Sequence, residues 1–113
     1  MRYQYAATVV DVHDGDTIRV DVDLGFDLTL RSLPLRLVGL NAPELPTEAG
    51  KASRDWLRTR LPLGSTITVE TLKDKQEKYG RYLALLFDGE HSINDELIQA
   101  GHAVAWDGKG QRP

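Results

Sequence analysis

Three short segments carry the side chains in this chain that are able to do chemistry. They are Asp14-Gly15-Asp16-Thr17, then Arg36-Leu37-Val38-Gly39-Leu40-Asn41-Ala42-Pro43-Glu44, then Lys78-Tyr79-Gly80-Arg81. Carboxylate oxygens suit hard cations, and the planar fork of arginine suits phosphate oxygens. Taken singly, each segment also reads as something plainer: a turn, a strand with a surface arginine, a solvated loop. The charge distribution adds to the signal. Residues 1–30 hold Arg2 and Arg19 against six aspartates, whereas residues 51–82 hold eight basic side chains against four acidic ones. An acidic half meeting a basic half suits a metal beside a phosphate, and it equally describes two solvated faces.

The elements that must position these residues follow from periodicity. β-branched residues at 8–12 and 17–22, with Asp14-Gly15 between them, predict a hairpin that has Asp16 at its mouth. Alternating leucines predict a third strand over 28–40, broken near Pro34, and Pro43 and Pro46 then place Glu44 on a loop leaving a strand end. Ala49, Ala52, Trp56, Leu57 and Leu61 fall at helical spacing, which predicts a helix over 47–61 with Thr47 as its cap and Trp56 in the core. A fourth strand is predicted over 65–72, a polar loop over 73–80 and a fifth strand over 81–87. A short helix over 94–100 carries Asp95 and Glu96 in its first turn and stops at Gly101. Three strands, helix, two strands, helix is the order of a five-stranded Greek-key barrel of the OB type, a mainly β (α+β) fold.

Composition bounds the rest. At 113 residues the chain reads as a single domain, 1–113, whose 41% of hydrophobic residues suffice for one modest core. A charged fraction of 27% without a long apolar run excludes a membrane-spanning chain. The opening MRYQYAATVV has neither the basic stretch nor the apolar segment of a secretory signal, so the expected location is the cytoplasm. Zero cysteines exclude disulfides and thiol catalysis. The formal charge of −3 argues against gripping duplex DNA with the whole surface. Asp11, His13, Asp14 and Asp16 imitate the start of a calcium loop, but the glycine falls one place early and no glutamate closes twelve residues. His13, His91 and His102 lack zinc spacing, and Ser53, Ser65 and Ser92 lack a nucleophile elbow.

In this order and spacing the three segments resemble the staphylococcal nuclease family. That pattern has an Asp-Gly-Asp-Thr turn, an arginine followed eight residues later by glutamate after a proline, and Lys-Tyr-Gly-Arg. The resemblance covers residues 6–106 and extends to Asn94. It implies a calcium-dependent nuclease that hydrolyses phosphodiester bonds of single-stranded DNA and RNA by in-line attack of water, leaving a 3′-phosphate. It further implies that Asp16, Asn41 and the Ala42 carbonyl ligate the metal and that Glu44 directs the water. Arg36 and Arg81 would stabilise developing charge, each worth about 3 kcal/mol, or about a hundredfold in rate. Lys78 and Tyr79 match positions near the terminal phosphate, and Trp106 stands where a base could stack or where the barrel edge needs an aromatic.

The departures from the family pattern are also informative. Asn41 replaces the usual aspartate, which points to weaker calcium binding or to another cation such as Mg²⁺ or Mn²⁺. Resting cytosolic calcium would not fill a weak site. No counterpart of the family's third helix follows Trp106, so a homodimer or a partner domain would cover the exposed barrel face. A non-catalytic OB module that binds nucleic acid or protein is the alternative class; such a degenerate domain is expected to lose Arg36, Glu44 or Arg81, and all three are present.

Overall fold

The computed structural model describes residues 2–76 and 78–109. Strands β1 (Arg2–Asp14), β2 (Thr17–Gly25) and β3 (Leu28–Leu37) form an antiparallel meander. A short strand β4 (Leu40–Asn41) leads to helix α1 (Glu48–Arg60), and β5 (Thr66–Gln76) and β6 (Tyr82–Asp88) follow. β7 (His91–Ser92), helix α2 (Ile93–Gln99) and β8 (Val104–Ala105) complete the described chain. Hydrogen bonding runs β3-β2-β1-β5-β6, and β3 then pairs in parallel with β6, which closes five strands into the OB-type barrel.

β1 begins six residues before the run predicted for it, because it serves two neighbours. Its first half, from Arg2 to Thr8, pairs with β5, and its second half pairs with β2. Only the second half is rich in β-branched residues. β3 is continuous through Pro34, which sits opposite Arg19 before the pairing with β6 begins at Leu35. The irregularity lies two residues earlier. Ser32 takes φ 54°, its N–H donates to Asp21 Oδ1 at 2.8 Å and its carbonyl accepts Arg19 Nη1 at 2.8 Å. The polar stretch expected as a loop over 73–80 continues β5 as far as Gln76, opposite Tyr82; Glu77 of that stretch lies outside the described residues.

Inside the barrel, Val9, Ile18, Val20, Leu35, Leu37 and Leu86 are fully buried, and Leu57 and Leu61 of α1 with Ile93 and Leu97 of α2 join the same cluster. Each such side chain contributes about 1.5–3 kcal/mol of transfer free energy. Helix α1 starts as predicted: Thr47 Oγ1 accepts the Gly50 N–H at 3.0 Å. Its buried face differs from the expectation. Ala49 and Ala52 are exposed, and Gly50, Ser53 and Leu57 are buried. Helix α2 is capped by Ser92 and ends at Gly101, φ 79°, whose N–H donates to Ile98 O. Arg60 ties the helices together, donating to Glu96 Oε1 at 2.7 Å and to Asp88 Oδ2 at 2.9 Å.

Candidate active site

The two-residue turn between β1 and β2 is Gly15-Asp16, and it is buried. Gly15 is required there for space. A methyl group on it would lie 2.0 Å from Ser53 Oγ and 2.8 Å from Ala42 Cβ. The turn is thus pressed between α1 and the segment after β4. Asp16, only 4% exposed, faces that segment: its Oδ2 accepts the Ala42 N–H at 3.3 Å and lies 3.6 Å from Arg36 Nη2. Its Oδ1 accepts the Thr17 hydroxyl at 3.2 Å, and the Thr17 oxygen accepts Arg81 Nη1 at 2.7 Å. One carboxylate therefore connects both arginines, one directly and one through a hydroxyl.

Barrel closure produces this meeting. Arg36 on β3 stands opposite Thr17 on β2 and beside Leu83 on β6, and Arg81 immediately precedes β6. Arg36 is 9% exposed, and its guanidinium also donates to the carbonyls of Leu37 and Leu40, so it braces the turn into β4. Asn94 braces the same turn from outside the barrel: its Nδ2 donates to Val38 O at 2.9 Å and to Ala84 O at 3.2 Å, while its Oδ1 accepts the Leu86 N–H. Asn94 is 2% exposed, and this scaffolding role is not visible from its position in the sequence.

Glu44 follows two residues after Ala42 and is exposed, with its carbonyl held by the Thr47 hydroxyl at 2.5 Å and the Thr47 N–H at 3.2 Å. The structure brings Asp16, Arg36, Asn41, Ala42 and Arg81 to one end of the barrel, with Glu44 on the adjoining loop. Asn41 is 7% exposed and pairs through β4 with Val104 of β8. Lys78 and Tyr79 lie at the surface; Lys78 Nζ is 5.0 Å and Arg81 Cζ 5.8 Å from the Tyr79 ring centroid. Trp106 is half-buried, its backbone N–H donating to Gly39 O and its indole N–H to Lys109 O, each at 3.0 Å. It therefore sits beside the β3–β4 turn. Trp56 packs against the core, its ring centroid 6.0 Å from that of His102.

Among the described residues, no three His, Cys, Asp or Glu side chains are placed so that they alone could hold a metal ion. Burial and the adjacent Asp16 carboxylate push the Asp14 carboxyl above its usual range. Asp16, Asn41 and the Ala42 carbonyl, all on buried residues, offer oxygen donors of low total charge, and that chemistry would suit a divalent cation held with modest strength. Among the described residues no helix is long and apolar enough to cross a membrane.

Comparison with known proteins points one way. Residues 34–112 match the family described as staphylococcal nuclease homologue. The thermonuclease of Staphylococcus hyicus is 32% identical over 103 residues, covering 86% of this chain and 57% of that protein. An uncharacterized endonuclease of Escherichia coli is 35% identical over 100 residues, covering 87% of this chain and 58% of that protein. Endonuclease YhcR of Bacillus subtilis is 30% identical over 115 residues, covering 91% of this chain and 9% of that protein. The chain thus spans somewhat more than half the length of two of these relatives and a small part of the third. With a closed five-stranded barrel, two helices and a family match over more than two-thirds of its residues, the chain belongs to the staphylococcal nuclease homologue family.

Proposed function

We propose that this chain is a metal-dependent endonuclease that hydrolyses phosphodiester bonds of single-stranded DNA and RNA. The observation that carries the reading is the convergence of Arg36 and Arg81 on one buried carboxylate, Asp16. Asp16, Asn41 and the Ala42 carbonyl would hold the cation, calcium by resemblance, with Mg²⁺ or Mn²⁺ as substitutes favoured by the neutral Asn41. When bound, the cation supplies Lewis-acid neutralisation of a phosphate oxygen.

The protein's own groups do the rest. Glu44, exposed at the rim, accepts a proton from the attacking water and orients it. Arg36 and Arg81 donate N–H groups to the equatorial oxygens as negative charge grows on them, and because neither loses its proton at working pH, neither needs to be recharged between turnovers. Arg36 is preorganised by the carbonyls that already hold it. Lys78 and Tyr79 extend the positive, partly aromatic surface over which a flexible strand would lie, and Trp106 offers a ring for stacking a base. Single strands fit better than duplex because a net charge of −3 argues against gripping duplex DNA with the whole surface.

A fluorogenic single-strand cleavage assay with Ca²⁺, Mg²⁺, Mn²⁺ or chelator, run beside Glu44→Gln, tests the proposal. Cleavage with 3′-phosphate ends that stops in chelator and falls about a hundredfold in the variant is the expected result. Cleavage indifferent to both chelator and the substitution would overturn it.

A further inference from the structure

The buried face of α1 is Gly50, Ser53 and Leu57, and its two small residues, Gly50 and Ser53, one turn apart, each touch a different part of the site. A methyl group on Gly50 would stand 2.3 Å from the Glu44 carbonyl oxygen and 2.6 Å from its carbon. Glu44's backbone therefore rests directly on the helix, clamped from the other side by Thr47. Ser53 is fully buried, donates its hydroxyl to His102 O at 2.8 Å, and forms the wall against which Gly15 packs. Gly15 in turn fixes Asp16. Neither Gly50 nor Ser53 is the alanine that periodicity assigns to this face.

We infer that α1 is a template with two independent seats: Gly50 is a positioning residue for the water-directing Glu44, and Ser53, through Gly15, for the metal-side carboxylate Asp16. This rests on the nuclease reading for its kinetic consequences, and on contacts alone for its structural ones. The physical reason for two seats is rigidity. A helix interior transmits no slack between residues three apart, so the spacing of Glu44 and Asp16 is set by one element rather than by two loops. A displacement of about 1 Å at either seat is enough to cost up to about a hundredfold in rate.

The two seats predict a double dissociation. Gly50→Ala introduces the better helix former but pushes the Glu44 backbone outward. Its kcat should fall tenfold or more, with KM and the half-saturating metal concentration within twofold of wild type, and its backbone NMR shifts should move at Glu44 and Leu45 and stay at Asp14–Thr17. Thr47→Ala, which releases the same carbonyl without a steric push, should move the same resonances. Gly15→Ala should do the reverse: a tenfold or greater rise in half-saturating metal, followed by terbium luminescence without substrate, and shifts confined to the Asp14–Thr17 turn. Adding Ser53→Gly to Gly15→Ala should recover at least threefold of that affinity.

A Gly50→Ala kcat within twofold of wild type, or a loss of metal affinity in step with its kcat, overturns the two-seat arrangement. Glu44→Gln is the control that separates the two ideas. If Glu44→Gln is inactive while Gly50→Ala is unimpaired, the positioning inference alone fails; if Glu44→Gln is fully active, the water-directing role of Glu44 fails and takes the kinetic half of the inference with it; and if the unsubstituted chain cleaves nothing with any of the cations, the nuclease reading itself fails.

Discussion

The two ends of the barrel treat polar and apolar groups in opposite ways. At the Asp16 end a carboxylate, a guanidinium and two amides are buried, and among the described residues no buried side-chain nitrogen or oxygen lacks a partner. At the far end the β2–β3 hairpin overhangs the barrel and exposes Leu24, Leu28 and Leu30, with Phe26 at its tip 98% exposed. Leu24, Leu28 and Leu30 continue the inward stripe of Val20 and Val22 past the point where other strands cover it. Burying polar groups costs stability unless every partner is supplied, and a chain bears that cost where the arrangement is needed. The hairpin needs no such arrangement.

This contrast can be broken most forcefully at Arg36. On the proposed mechanism Arg36→Ala removes a donor to the reacting phosphate, and it leaves Asp16 and the Leu37 and Leu40 carbonyls short of a buried partner. Activity should fall more than about a hundredfold and stability by roughly 2–4 kcal/mol, read by cleavage kinetics and urea unfolding. Arg81→Ala sharpens the point. The side chain is half-buried and reaches the site through Thr17, so activity should fall to a similar extent with a stability change under about 1 kcal/mol. Equal destabilisation by both substitutions would contradict the difference in burial.

A smaller effect is expected from Asn41→Asp. A second buried negative charge beside Asp16 should lower the half-saturating calcium concentration by about tenfold, close to 1.4 kcal/mol, and lower stability in chelator. Terbium titration and thermal melts measure the two halves. Glu96→Gln weakens the Arg60 tie between the helices and should cost on the order of 0.5–1 kcal/mol, discounted for partial exposure, with kcat unchanged. Least of all, Phe26→Ser at the overhanging tip should change stability by under about 0.5 kcal/mol and leave cleavage untouched.

The motif residues were legible because turns, prolines and charges mark them locally. The first hairpin, the loop that carries Glu44 and the Thr47 cap all reappear in the structure where turn chemistry, prolines and helical periodicity put them, with the hairpin's turn one residue on, at Gly15-Asp16 rather than Asp14-Gly15. What stayed hidden depends on contacts between distant segments. The buried face of α1 was misassigned because apolarity favours Ala49 and Ala52, whereas close approach of the Gly15 and Glu44 backbones requires small residues at 50 and 53. The start of β1 and the end of β5 were missed for a related reason: polar strand residues gain their order from a pairing partner, and no local pattern announces the partner. Asn94 matched the family pattern, but its bridging of Val38, Ala84 and Leu86 appears only once the barrel is closed.

That closure joins β3 to β6 through three residue pairs, Leu35 with Tyr82, Arg36 with Leu83 and Leu37 with Ala84. Both guanidinium groups depend on this zipper, Arg36 within it and Arg81 one residue ahead of its first pair. A molecule that opens only here parts its two cationic arms to opposite lips of the gap and uncovers Leu35 and Leu37, while β1 keeps its pairing with β2 and β5. On the proposed function turnover reports the seal itself: under gentle heating or denaturant, cleavage should vanish ahead of the circular dichroism of the strands, and the Val38 amide hydrogen, which donates to Ala84 O across the seal, should exchange ahead of those at the centre of β1.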